Sequence, residues 1–166
     1  TIREIIDEHA GGMKDGLNLR AILPGGASTD LLTVDHLDVK MDFNAMAAAG
    51  SRLGTGTMVV IDDRTCIVGL VLNLMRFFAQ ESCGWCTPCR EGLPWTVKVL
   101  ASIESGQGLP EDVERLKLQT RLLAPGHTFC ALAPGAMAPL QSALKYFEDD
   151  FHRHIAKWVR KGHVGT

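Results

Sequence analysis

The chain has 166 residues, 46% of them hydrophobic, and a formal net charge of −2, which suits a soluble globular protein of one or two domains with a real core. Near-balanced charge gives no reason to expect nucleic acid or an anionic membrane as partner, and the longest apolar stretch, Cys66–Met75, is too short and interrupted to span a bilayer. The opening TIREIIDEHA lacks the charged-then-apolar layout of a secretory signal, and the absence of a starting Met is what a piece of a longer protein would show.

In chain order, Ile2, Ile5, Ile6 and His9 share one helical face, and Gly11-Gly12 predicts the stop of that helix. Residues 17–23, LNLRAIL, alternate Leu17, Leu19, Ala21 and Leu23 with the two-residue period of a half-buried strand. Asp42 is placed to cap a short helix over 43–50, ended by Gly50, and TMVVID at 57–62 predicts another strand. The Gly-rich pieces GGAST and GSRLGTG match neither a P-loop nor a dinucleotide-binding fingerprint, and are read as turn glycines.

After Asp63 the period becomes helical. Thr65 is the expected cap of a helix from Cys66 to about Gln80, apolar on most sides and therefore suited to a bundle core. A second helix runs from near Thr87 to about Glu104 with Leu93, Val97, Leu100 and Ile103 inward, and Pro94 is expected to kink or restart it. Pro110-Glu111-Asp112 opens a third. The fourth carries Leu140, Leu144, Phe147, Phe151, Ile155 and Trp158 along one face. The expected fold class is α+β: a small mixed domain over residues 1–62, then an all-α four-helix bundle over 63–166.

Five cysteines, at 66, 83, 86, 89 and 130, are an odd number and are clustered as C-x2-C-x2-C. Without an export signal this pattern argues against a disulfide framework and for metal or redox chemistry in a reducing compartment. A single tetrahedral zinc has little use for a third cysteine only three residues after a C-x2-C pair. A thioredoxin-like switch at Cys83–Cys86 has no use for it either. An iron–sulfur cubane offers a separate corner to each thiolate, and one short loop can supply three. The fourth ligand must come from elsewhere. Cys130, in the loop PGHTFCALAPG, is favoured over Cys66, which opens an apolar helix and reads as an ordinary buried thiol. His127 is a further candidate, although a loop histidine is more often a hydrogen-bonding neighbour.

The flanks suit an anionic group. Thr87-Pro88 begins a helix whose N–H groups and positive dipole end face the cysteine run, and Arg90 adds a charge. Gly84 permits close backbone approach, while Trp85 either shields sulfur from water or simply packs. Hydrolytic chemistry has no visible constellation. Asp149, Asp150, His152 and His154 read as a solvated helix face.

The run Glu81-Ser82-Cys83-Gly84-Trp85-Cys86-Thr87-Pro88-Cys89-Arg90-Glu91-Gly92, with Cys130 in a later Thr-Phe-Cys-Ala-Leu loop, closely resembles the flavoprotein (F) subunits of bacterial NADH–quinone oxidoreductase, respiratory complex I. The run is shared with diaphorase subunits of NAD-reducing hydrogenases and formate dehydrogenases. The resemblance covers the whole chain, with Pro94 and the tail His154–Thr166 at variable positions. It implies a ubiquitin-like β-grasp domain of the soluble-ligand-binding type, then a helical domain in which Cys83, Cys86, Cys89 and Cys130 bind one 4Fe–4S cluster. It implies electrons passed from flavin through that cluster toward further clusters and quinone. FMN and NADH are expected on an N-terminal part that these residues lack, so the chain alone would not oxidise NADH. The implied partners are other peripheral-arm subunits, including further iron–sulfur subunits. The implied location is cytoplasmic, peripheral to the inner membrane, without direct membrane insertion. A structural four-cysteine zinc module for assembly is the competing expectation. No charged or aromatic cluster in residues 1–60 defines a ligand there, and docking against neighbouring domains is the expected role of that part.

Overall fold

The computed structural model describes the backbone of residues 1–159 and the side chains of residues 1–155. It is mostly helical, with one small antiparallel sheet, and divides into two compact units, Thr1–Thr65 and Cys66 onward.

In the first unit, α1 (Ile2–Glu4) runs on as a π-helical turn, Ile5–His9, and Gly11 and Gly12 leave it at positive φ. Strand β1 (Leu19–Leu23) pairs antiparallel with β2 (Val59–Asp62), with Ala21 opposite Ile61 and an irregularity between Leu19 and Ala21. The expected alternation of β1 fails at its end: Ala21, Ile22 and Leu23 are all buried, so both faces are covered there. Helix α2 (Phe43–Ala48) starts at Asp42, whose Oδ1 accepts from the Ala45 amide at 2.8 Å. Ile2, Ile6, Ile22, Leu32 and Met46 form the core.

The two Gly-rich pieces are more than turns, because they pack on each other. The Thr55 amide donates to the Gly25 carbonyl at 3.2 Å, and a Cβ at Gly25 would stand 2.3 Å from the Leu53 carbonyl oxygen. Ser51 Oγ donates to the Asp30 carbonyl at 2.8 Å, and the Arg52 guanidinium donates to that of Ser28.

The second unit holds five helices among the described residues: α3 (Ile67–Gln80), α4 (Thr87–Glu104), α5 (Asp112–Leu122), α6 (Leu132–Tyr146) and α7 (Glu148–Val159). Helix α3 packs against α4, α6 and α7, and α5 lies against α4 and α6. The buried residues of α3, Ile67, Val68, Val71, Leu72, Met75 and Phe78, cover the wide face that such a position needs. Cys66 caps it rather than Thr65, accepting from the Gly69 amide at 3.4 Å; Thr65 bonds instead to Asp62 Oδ1 at 2.6 Å. Helix α4 runs through Pro94 without restarting, and Thr96 rather than Val97 joins Leu93, Leu100 and Ile103 in the core. Asp112 steadies the start of α5, accepting from the Leu109 amide at 2.8 Å.

The predicted fourth helix is two helices. Phe147, at φ −134° and ψ 29°, breaks the ladder between α6 and α7. The run Glu148-Asp149-Asp150 that follows is the acidic first turn that a new helix N-terminus favours. Asp150 is buried and pairs with Arg153, so it does not belong to a solvated face; Asp149 and His152 are exposed. Leu140, Leu144, Phe151 and Ile155 are all buried, which is why the stripe survives the break. The Trp158 side chain and the tail beyond Val159 lie outside the described residues. No helix among the described residues is long and apolar enough to cross a membrane.

Phe151 is fully buried whereas Phe77 is 50% exposed. Phe151→Ala is expected to cost about 3–5 kcal/mol in denaturant unfolding, and Phe77→Ala under about 1 kcal/mol.

Candidate functional site

The three clustered cysteines lie where α3 hands over to α4. Helix α3 ends at Gln80, with Glu81 as its C-cap, and Cys86 is the N-cap of α4. Gly84 turns the chain between them at φ +76°, a conformation that a residue with a Cβ adopts only under strain. Cys83 is exposed, Cys86 half-buried, and Cys89, in the first turn of α4, buried. All are free thiols.

Short hydrogen bonds fix this loop. Ser82 Oγ lies 3.1 Å from Cys89 Sγ and accepts from the Gly84 amide at 3.3 Å. Arg90 Nη1 donates to the Gly84 carbonyl at 2.9 Å, closing the loop over the helix start. Its Nε pairs with Glu91 at 3.0 Å, so Arg90 acts as a clamp as much as a free positive charge. No side chain caps α4, which leaves its first amides to whatever lies beside Cys86.

The loop between α5 and α6 reaches the same place. The Phe129 amide donates to Cys86 Sγ at 3.4 Å, across 43 positions of chain, and Thr128 Oγ1 donates to the Cys130 carbonyl at 2.9 Å. Cys130 is exposed and free. A cavity of about 340 Å³ lies between the two loops, lined by Trp85, Cys86, Thr87, Gly126, His127 and Phe129 among others. Cys86 is the one thiol of the four on its wall. Trp85 and Phe129, 77% and 85% exposed, stand at this rim, so Trp85 is not a packing residue within this chain. His127 lines the cavity as a neighbour of Cys86.

Cys66 stands apart from this group. It is half-buried, with Sγ 3.3 Å from Glu104 Oε2 and 3.4 Å from His154 Nε2. Burial pushes its thiol above the ordinary range and the neighbouring Glu104 carboxylate adds to the rise, against the Gly69 amide, which favours the thiolate. The expectations of an ordinary buried thiol at 66 and a solvated histidine at 154 both differ from this arrangement. Sequence reasoning also misses Ser82 and the Phe129 amide. The place of Ser82 directly before Cys83 is a visible signal, whereas nothing local announces a backbone contact from so far away.

A helical domain that gathers a C-x2-C-x2-C loop and a cysteine-bearing loop at one helix start belongs to a recognised class. Residues 69–154 match the family described as the NADH-ubiquinone oxidoreductase-F iron–sulfur binding region, and the chain belongs to that family. Among individual relatives, it is 54% identical over 164 residues to the F subunit of NADH-quinone oxidoreductase of Escherichia coli strain K12, covering 99% of this chain and 37% of that protein. It is 44% identical over 156 residues to the corresponding F subunit of Mycobacterium tuberculosis, covering 93% of this chain and 34% of the relative. The fold is similar to a crystal structure of an NAD+-reducing NiFe hydrogenase in the H2-reduced state, with a TM-score of 0.74 and 28% identity over 83% of this chain and 23% of that one. The chain thus spans little more than a third of the length of the curated relatives it matches.

The loop geometry makes Gly84 hard to replace. A Cβ there would meet Arg90 Cδ at 3.7 Å, so Gly84→Ala carries a conformational cost and no steric one. The expected loss is about 1–2 kcal/mol in denaturant unfolding.

Proposed function

We propose that residues 63–166 are the electron-transfer domain of an NADH–quinone oxidoreductase F subunit, with Cys83, Cys86, Cys89 and Cys130 holding one 4Fe–4S cluster. The observation that carries this is the Phe129 amide on Cys86 Sγ, which brings the loop bearing Cys130 to the other three thiols. The donor set fits the group: four free thiols, soft and anionic when deprotonated, beside an uncapped helix start.

When bound, such a cluster takes up and releases single electrons, here between flavin and further clusters on the way to quinone. The chain's own residues set the conditions. The Phe129 amide donates to Cys86 Sγ, and the Ser82 hydroxyl beside Cys89 Sγ would donate once that sulfur is a thiolate; donors of this kind favour the more negative reduced state. Buried Cys89 would hold the group from the protein side, and Cys83 and Cys130, both exposed, would hold it from the solvent side. That side, rimmed by Trp85 and Phe129, suits close approach of the neighbouring redox groups of a larger assembly.

Residues 1–62 are read as the β-grasp domain, supported by the antiparallel β1–β2 pair and the α2 helix beside the Ile22–Leu32 bridge. Helices α3 to α6 correspond to the four-helix bundle, with α7 extending the fourth helix past the break. FMN and NADH contacts are not assigned to these residues and belong to the remainder of such a subunit. Partners are other peripheral-arm subunits, including iron–sulfur ones, in a cytoplasmic arm on the inner membrane. A diaphorase subunit is the weaker alternative, since identity is 28% to the hydrogenase chain and 54% to the quinone-reductase relative.

The variant series that tests the ligand set reads the electron paramagnetic resonance signal of the reduced, anaerobically purified chain. Cys130→Ala should abolish the signal with loss of iron, and Cys66→Ala should retain both. The swapped result would refute the assignment.

A further inference from the structure

We propose that Cys66, Glu104 and His154 form a second metal site, for a zinc ion, at the end of the helical unit away from the cysteine loop. Their ligand atoms all lie within 4.8 Å of one another, and among the described residues this is the one such set of His, Cys, Asp and Glu. The three come from the N-cap of α3, the last residue of α4 and the second turn of α7, so folding of the unit itself assembles them.

The separations suit tetrahedral zinc. With Zn–S near 2.3 Å and Zn–N or Zn–O near 2.0 Å, the S···N and S···O edges come to about 3.5 Å. The structure has 3.4 Å from Cys66 Sγ to His154 Nε2 and 3.3 Å to Glu104 Oε2. Glu104 Oε2 meets the histidine at its other nitrogen, Nδ1, at 3.6 Å. One ion held by Cys66 Sγ, Glu104 Oε2 and His154 Nε2 would therefore need a small turn of the imidazole to close the third edge. Three protein ligands with one open position are a recurring zinc arrangement, and a thiolate in the set disfavours magnesium and calcium.

Burial and the Glu104 carboxylate oppose a thiolate at Cys66 in the metal-free chain, so zinc would bind with release of the thiol proton. One neighbour favours the sulfur so formed. The Gly69 amide donates to Cys66 Sγ at 3.4 Å from the first turn of a 14-residue helix. Gly69 also makes room: a Cβ there would stand 3.0 Å from Glu104 Oε1. His154 and Glu104 are half-buried. The length of α3 separates this end from the Cys83–Cys89 loop by about 21 Å, at 1.5 Å per residue, so the two groups of ligands are independent. Zinc here would tie the start of α3 to the end of α4 and to α7, raising the stability of the folded unit by mass action.

The test uses the cluster-loaded chain, freed of adventitious metal and given one equivalent of zinc. Elemental analysis after desalting should find one zinc per chain with iron unchanged. Zinc-edge X-ray absorption should show one sulfur neighbour, the rest nitrogen or oxygen. Cys66→Ala and, as a milder change, His154→Gln should each weaken zinc binding more than about 100-fold, beyond the cost of losing an outer-shell partner, while iron is retained. The zinc-dependent rise in thermal midpoint should vanish in both. No retained zinc would reduce the trio to a hydrogen-bonded thiol and overturn the proposal. Zinc with three or four sulfur neighbours, or binding indifferent to both substitutions, would overturn it as well.

Discussion

The hydrogen bond from the Phe129 amide to the Cys86 sulfur joins two loops that the sequence holds 43 positions apart. Much of the helical unit can be understood as the means of making that contact. Helices α3 and α4 form a hairpin whose tip is the cysteine run, and α5 lies against α4 before the chain turns toward α6. The turn between α5 and α6 then falls beside the same tip. Small residues make the return possible: Ala133, Gly135, Ala136, Ala138 and Ala143 are buried in α6, where bulkier side chains would hold the helix off its neighbours. The thiols are loop and helix-start groups positioned by a packed scaffold, the usual division of labour between rigid elements and chemistry.

The two ends of α3 carry different chemistry. At the C-terminal end, the chain turns through Gly84 and uses Ser82 and Arg90 to fix the loop. At the N-terminal end, a cysteine takes the cap position ordinarily filled by Ser, Thr, Asp or Asn. A sulfur cap is a weak hydrogen-bond acceptor, and its meeting with a carboxylate and an imidazole from two other helices exceeds what capping requires. Glu104 gains no helix-dipole benefit at the C-terminal end of α4, where acids are disfavoured, so its presence there calls for a local partner.

Local chemistry is legible in the sequence, and long-range chemistry only partly so. The C-x2-C-x2-C spacing, the Asp42 cap, the limits of α3 to within a residue and the whole span of α4 follow from periodicity and capping. The break at Phe147 is hidden because Leu140, Leu144, Phe151 and Ile155 keep facing the core on both sides of it. Periodicity cannot distinguish a continuous helix from two that share a face, although the acidic triplet at 148–150 is a visible start signal. Pro94 errs in the opposite direction, suggesting a restart where the helix is continuous. It lies in the interior of α4 on an exposed position, and the helix continues past it at the cost of one missing amide in the ladder. The grouping of Cys66 with Glu104 and His154 depends on three helices packing at once, and no local pattern encodes it.

The central claim is that four thiols drawn from two loops hold an iron–sulfur cluster. Its most direct test is the iron and acid-labile sulfide content of the anaerobically purified chain. About four iron and four sulfide per chain are expected if the cysteine set holds one cubane. Zinc at the four thiols, with no labile sulfide, would contradict it.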